Sequence, residues 1–135
     1  MADHSDEDLA RAAVAALEHA YSPYSNVRIG AALEGHDGRV FTGCNVENAS
    51  FGLTVCAERT ALFSAVAAGL RNFRTIVIAT DQATAWMPCG ACRQTLHEFA
   101  PALRVLVQGA DGKRIETTLS ALLPEAFDPA QLRPR

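Results

Sequence analysis

The sequence lacks clustered positive charge and long apolar segments. It has a single lysine, and its twelve lysine and arginine residues are scattered among fifteen aspartate and glutamate residues, so the net charge is −3. Nucleic-acid binding depends on basic side chains clustered at the phosphates, and a membrane-spanning helix needs about 20 consecutive apolar residues. The sequence has neither feature, so we expect neither a nucleic-acid partner nor a membrane segment.

Internal repeats, low-complexity stretches and linkers rich in glycine, proline or serine are also absent from the sequence. Its 135 residues, 49% hydrophobic and 20% charged, are typical of one globular domain. We therefore predict a single domain over residues 1–135. The acidic N-terminal octapeptide contains no apolar core of the kind that a secretory signal needs, and this predicts a cytoplasmic protein.

Hydrophobic periodicity predicts an alternation of helices and strands. A capping box of Ser5 and Asp8 begins a helix that ends near Tyr21, and alternating apolar residues predict a first strand with one buried face. Asp37-Gly38 predicts a hairpin turn. The predicted strands are 27–33, 39–43, 75–79, 104–108 and 114–117, and the later helices are 55–68, 89–99 and 119–123. This order predicts an α/β fold in which helices cover both faces of a mixed five-stranded sheet, as a three-layer α-β-α sandwich.

Three of the four cysteines lie where predicted loops enter helices. Cys56 begins one helix, and Cys89 and Cys92 begin another, each just past the end of a strand. In an open α/β sheet such ends gather at one edge, and helix N-termini stabilise thiolates. Three protein ligands leave the fourth tetrahedral position of zinc open for water, which is typical of a catalytic site. We therefore predict one zinc ion (Zn²⁺) per chain, held by these three cysteines.

Cys44 leaves a second interpretation open. As a fourth ligand it would make the zinc site a structural one, in a non-catalytic interaction domain. A small buried thiol is the commoner fate of such a cysteine. A redox role for the C-x-x-C pair has less support, because a proline precedes the pair and a third cysteine lies at the other helix start.

Charged residues beside the cysteines predict the chemistry of the site. Glu58 lies two residues after Cys56, and both side chains reach a metal only if it lies below the open end of the helix. Alone, a glutamate there would complement the helix dipole; beside three cysteines it is a candidate proton carrier. Three thiolates leave one divalent ion with a net charge of −1, so Arg59 and Arg93 are candidate hydrogen-bond donors to the sulfurs. A solvated surface position is the alternative for each arginine.

With these motifs the sequence resembles the cytidine deaminase family of short, homotetrameric, zinc-dependent hydrolases. The resemblance extends over residues 21–25, 43–48 and 122–127, and it is most specific at 56–61 and 88–94. It implies hydrolytic deamination of cytidine or deoxycytidine and a role in pyrimidine salvage. In the implied reaction zinc lowers the pKa of a water, and Glu58 moves the protons between that water, N3 of the ring and the leaving amino group.

The same resemblance implies which residues bind the substrate. The backbone at Ala57 contacts the base, and Asn45 and Glu47 hold the ribose hydroxyls, with capping of the loop as the alternative for both. An ionised glutamate accepts hydrogen bonds from hydroxyls and repels phosphate, which favours a free nucleoside. The family usually has phenylalanine where this sequence has Val27. Phe51 is a candidate for the missing aromatic surface, with a core role as the alternative.

Two further implications concern the substrate's identity and the assembly. Because Val27 replaces an aromatic residue, a deaminase of another cytosine nucleoside, or of an antibiotic such as blasticidin, is the alternative activity. Phe127 resembles a family phenylalanine that lies near the neighbouring subunit's site. The resemblance therefore implies a homotetramer with composite active sites.

Overall fold

The computed structural model describes residues 4–132 and arranges five strands in one sheet with helices on both faces. The predicted fold class is confirmed. The strands are β1 (Ile29–Gly35), β2 (Val40–Cys44), β3 (Phe73–Thr80), β4 (Arg104–Gln108) and β5 (Arg114–Thr118). The helices are α1 (Asp6–Leu17), α2 (Ala57–Ala67), α3 (Gly90–His97) and α4 (Leu119–Leu122), with 3-10 turns at Phe51–Leu53 and Pro129–Leu132.

The order of strands in the sheet is β2-β1-β3-β4-β5. β1 runs antiparallel to both of its neighbours, and β3 runs parallel to β4. β2, β3 and β4 therefore point in the same direction, and their carboxyl ends lie at one edge of the sheet. The loops that lead from β2 into α2 and from β3 into α3 both begin at this edge.

β1 differs from the sequence prediction because both of its faces are buried. Residues 30–35 are all buried, with α1 on one side and α2 on the other. A Cβ at Gly30 would lie 2.0 Å from the carbonyl oxygen of Ala13, so only glycine allows α1 to approach this closely. The prediction of one buried face was wrong because small residues at alternate positions, Gly30 and Ala32, fit beneath a helix.

The apolar residues form a core on each face of the sheet. The α1 side is built from Leu9, Ala13, Leu17, Ala32, Val77 and Leu106. The side that faces α2 and α3 includes Leu33, Leu62, Ile76, Leu96, Leu103 and Val105. No helix within residues 4–132 is long and apolar enough to cross a membrane.

Helix boundaries also differ from the predicted ones by a few residues. The capping box of Ser5 and Asp8 is present, but α1 ends at Leu17 instead of near Tyr21. α2 and α3 begin one residue after Cys56 and Cys89, because each cysteine is an N-cap residue with extended backbone. The metal-ligating cysteines predicted from the sequence therefore stand at two helix starts.

Candidate active site

Three thiols converge at the carboxyl edge of the sheet. Cys56 and Cys89 are the N-cap residues of α2 and α3, and Cys92 lies in the first turn of α3. The Sγ atoms of Cys56 and Cys89 are 3.7 Å apart, and those of Cys89 and Cys92 are 3.5 Å apart. All three sulfurs lie within 4.8 Å of one another.

The cluster of three thiols has the right dimensions to hold a zinc ion. Sulfurs bound at about 2.3 Å at the corners of a tetrahedron lie about 3.8 Å apart, close to the observed separations. Within residues 4–132 this is the one group of three potential ligands found, and Cys44 does not belong to it. Cys44 lies at the end of β2, where burial raises the pKa of its thiol. A tetrahedral ion held by these three sulfurs would keep a fourth position for another ligand.

Arg59 donates a hydrogen bond to one sulfur of the three-thiol cluster, as the sequence predicted. Its Nη2 lies 3.6 Å from Cys56 Sγ, while its Nε is buried without a hydrogen-bond partner among the described residues. The neighbouring thiol of Cys92, together with Arg59, lowers the pKa of Cys56 to about 5. Donating to the Cys56 thiolate in turn raises the pKa of Cys92. Positive charge beside the sulfurs thus offsets part of their negative charge.

Arg93 does not contact the sulfurs, so that prediction was wrong. Its Nε donates to the carbonyl oxygen of Pro88 at 2.7 Å, and its Nη1 donates to that of Leu122 at 3.0 Å. The guanidinium therefore ties the loop before Cys89 to the end of α4. Arg93 supports the position of a ligand through the backbone and not through its charge.

Glu58 is a buried carboxyl in the first turn of α2. It is 3% exposed, and its desolvation raises the pKa to about 7. The charge of Cys56 and a hydrogen bond with the Cys92 side chain also affect the Glu58 pKa, so this carboxyl lies beside the three-thiol cluster. A carboxyl with this pKa exists in both protonation states near neutral pH, which suits a group that accepts a proton and then releases it.

The predicted sugar-binding residues both support the loop that precedes β1. Asn45 accepts a hydrogen bond from the Ile29 N–H at 2.9 Å and donates one to the Val27 carbonyl oxygen at 2.8 Å. Glu47 accepts hydrogen bonds from the N–H groups of Tyr24 and Ser25, at 3.0 and 3.1 Å, and from the Ser25 hydroxyl. The role of loop support, which the sequence left as the alternative, is therefore present in this structure.

A groove beside Glu47 has an aromatic wall. Its volume is about 370 Å³, and it is lined by Tyr24, Ser25, Glu47, Phe51 and Thr54. Phe51 is 75% exposed and packs edge-to-face on Tyr24, with ring centroids 6.0 Å apart, so it has no core role. Tyr24 was not among the predicted site residues, although it lies in the 21–25 segment that carries the family resemblance.

The C-terminal segment is attached to α3. Gln94 donates from Nε2 to the Phe127 carbonyl oxygen at 2.8 Å, and the Phe127 N–H donates back to Gln94 Oε1 at 3.2 Å. The Phe127 side chain is 55% exposed. Sequence reasoning missed the role of Gln94, because a bond between residues 33 positions apart leaves no local pattern.

Comparisons with known proteins agree with this geometry. Residues 3–108 match the family model described as the cytidine and deoxycytidylate deaminase zinc-binding region. The chain is 48% identical over 120 residues to a cytidine deaminase from Halalkalibacterium halodurans, which covers 88% of this chain and 91% of that protein. It is 44% identical over 118 residues to a cytidine deaminase from Sporosarcina psychrophila, with 87% of each chain covered. The crystal structure of cytidine deaminase from Burkholderia pseudomallei matches with a TM-score of 0.89 and 50% identity, covering 92% of this chain and 100% of that chain.

Proposed function

Since the chain belongs to the cytidine and deoxycytidylate deaminase family and is a zinc-dependent hydrolytic deaminase, we propose how its residues share the reaction. Cys56, Cys89 and Cys92 hold the zinc ion, and Glu58 moves the protons. Cytidine or deoxycytidine is converted to uridine or deoxyuridine, and ammonia is released. The observation that carries this proposal is the group of three thiols at two helix starts beside a buried carboxyl.

Proton transfer by Glu58 accounts for the chemical steps. Zinc, when bound, lowers the pKa of a water and so supplies a nucleophile near neutral pH. Glu58 accepts the proton of the attacking water and delivers it to N3 of the cytosine ring. The water oxygen bonds to C4 of the ring. The remaining proton then passes from the new C4 hydroxyl through Glu58 to the amino group as the C4–N bond breaks, which leaves a C4 carbonyl and releases ammonia. Burial of Glu58 supports this role, because it holds the pKa at about 7 and keeps bulk water away from the transfer.

Asn45, Glu47, Phe51 and the backbone at Ala57 form the proposed substrate-binding set. The hydrogen bonds from Ser25 and from the Tyr24 N–H lower the pKa of Glu47, which keeps it ionised. An ionised carboxylate accepts hydrogen bonds from ribose hydroxyls and repels a phosphate. The Asn45 amide, with one donor and one acceptor already used, keeps one of each for a sugar. Phe51 supplies the exposed apolar surface beside Glu47.

A panel of cytosine compounds tests the activity. We expect the zinc-loaded protein to release ammonia from cytidine and deoxycytidine. The kcat/KM for the 5′-monophosphate should be at least roughly tenfold lower, since Glu47 repels the phosphate. Stoichiometric ammonia detection, with zinc-depleted protein as the control, measures both. Zinc-loaded protein that acts on none of these compounds would point to a structural zinc domain instead.

Homotetramer formation is the proposed assembly. Five large apolar side chains between residues 21 and 53 are exposed, and two of them, Tyr24 and Phe51, line the groove; the others are Tyr21, Val46 and Leu53. Tyr21 and Val46 form an isolated β-bridge, and Tyr24 contacts Phe51 in the wall of the groove. Exposed apolar side chains that lie together, as Tyr24 and Phe51 do, are typical of a subunit interface. A neighbouring chain that brings Phe127 near this surface would make each site composite.

Light scattering tests the assembly. We expect a mass four times that of the chain, and Leu53→Asp should lower it because a buried unpaired charge destabilises an interface. Ile115→Asp is the matched control, because Ile115 is also half-exposed but lies on β5. A parent protein that is monomeric and fully active would contradict the proposal.

The remaining proposals concern the setting of the enzyme. None of the four cysteines forms a disulfide, and a reducing compartment keeps thiols available for zinc, so we place the enzyme in the cytoplasm. Converting cytosine nucleosides to uracil nucleosides supports a role in pyrimidine salvage. The net charge of −3 supports a small-molecule substrate over a nucleic acid. The single sheet supports one domain over residues 1–135.

A further inference from the structure

The side chain of Thr60 lies between α2 and the end of β2. Its Oγ1 is 2.8 Å from the carbonyl oxygen of Cys44 and 2.9 Å from that of Ala57. Cys44 is the last residue of β2, and Ala57 is the first of α2. One hydroxyl proton is therefore shared between a strand end and a helix start.

The two backbones approach closely at Gly43, which has no side chain of its own to separate them. A Cβ at Gly43 would lie 2.3 Å from Thr60 Oγ1, 2.4 Å from Ala61 N and 2.5 Å from the Ala57 carbonyl oxygen. Each of these distances is below any real Cβ contact. The first turn of α2 thus rests directly on β2, and the Thr60 hydroxyl bonds across that contact.

We propose that Thr60 is a positioning residue for the deamination, through a hydroxyl that joins the two halves of the active site. The helix start on one side carries Cys56 and Glu58. The strand end on the other side continues directly into the segment with Asn45 and Glu47. The hydroxyl thereby sets the distance between the group that moves protons and the groups proposed to hold the sugar.

Two hydroxyls on α2 and α3 differ from Thr60 because their partners lie in the same helix. Thr95 Oγ1 donates only within its own helix, to the Ala91 carbonyl oxygen at 2.6 Å, and Ser64 donates to the Thr60 carbonyl oxygen within α2. Such bonds leave the position of a helix on the sheet unchanged. Small displacements of a catalytic group cost large factors in rate, so a bond between elements affects turnover where a bond within a helix does not.

Three substitutions test the proposal in the zinc-loaded enzyme. Thr60→Val removes the hydroxyl and keeps the shape, Thr60→Ser keeps the hydroxyl, and Thr95→Val is the matched control three residues after Cys92. We expect Thr60→Val to lower kcat for cytidine about tenfold with little change in KM, because Glu58 shifts while the sugar contacts remain. A chelator should also remove its zinc several times faster, since Cys56 moves with α2. Thr60→Ser and Thr95→Val should stay within about twofold of the parent in both measurements.

Several results would overturn the proposal. Thr60→Val with a parental kcat and zinc-loss rate would do so, as would a Thr60→Ser variant as impaired as Thr60→Val. Thr60→Ala provides a second hydroxyl-free variant, and if neither folds while Thr60→Ser does, the hydroxyl serves the fold and not the site. The inference rests on the proposed deamination, but different measurements contradict the inference and the activity. A parent without ammonia release refutes the activity, and the zinc-loss rates still decide whether the Thr60 hydroxyl holds the helix start with Cys56 in place.

Discussion

Glu58→Gln lowers kcat for cytidine by at least about a thousandfold, while the zinc content and the fold stay as in the parent. The amide has nearly the same shape as the carboxyl but neither accepts nor releases a proton at neutral pH. Removing one general acid–base step costs about 10²–10⁴ in rate, and Glu58 serves more than one proton transfer. Since the parent carboxyl is buried with its pKa near 7, a neutral amide meets no additional desolvation cost.

Glu34→Gln is the matched control for this substitution. Glu34 is a second buried glutamate, 1% exposed, on β1; it accepts a hydrogen bond from the His4 N–H at 2.8 Å and lies 3.5 Å from the Arg74 guanidinium. Losing that charge should lower the melting temperature and leave kcat within about twofold of the parent. Ammonia release, zinc analysis and thermal unfolding measure the three quantities. A Glu58→Gln enzyme within tenfold of the parent would remove Glu58 from the mechanism.

Cys92→Ala abolishes both zinc binding and deamination. The Cys92 thiol is fully buried beside the other two sulfurs, and two remaining thiols hold zinc far more weakly than three. Because metal binding contributes to folding stability, the melting temperature should fall as well. Cys44→Ala is the matched control, since Cys44 lies outside the three-thiol cluster. This variant should keep one zinc ion per chain and full turnover.

X-ray absorption of the parent provides an independent measurement of the same site. We expect three sulfur ligands at about 2.3 Å and one lighter atom. Four sulfurs, or loss of zinc in Cys44→Ala, would make the site a structural one and contradict the assignment of an open position. Neither result is compatible with hydrolysis at the metal.

Much of the fold could be predicted because its signals are local. β4 has the bounds that the sequence predicted, 104–108, and the capping box and the hairpin turn depend on neighbours in sequence. β1 was misread because glycine and alanine carry no strong polar or apolar signal. Whether a small residue faces solvent or the underside of a helix depends on where α1 packs.

Arg59 and Arg93 show that the same limit of prediction from sequence applies within the active site. Each lies one to three residues from a cysteine, so spacing alone treats them alike. Arg59 bonds to Cys56 Sγ, whereas Arg93 bonds to the backbone of Pro88 and of Leu122, 29 residues away. A long flexible side chain bonds to whichever partner packing brings near, and that partner is not encoded beside it.

The sequence by itself predicted which three cysteines meet, the acid beside them and the family to which the chain belongs. These follow from residue types at helix starts, where capping and the helix dipole act over one turn. Only the tertiary structure decided what holds those helix starts together. The contact of Gly43 with α2, the bond of Thr60 to Cys44 and the bonds of Gln94 to Phe127 all join segments distant in sequence. Such contacts form when the sheet brings its strand ends to one edge, and no local pattern specifies which atoms meet there.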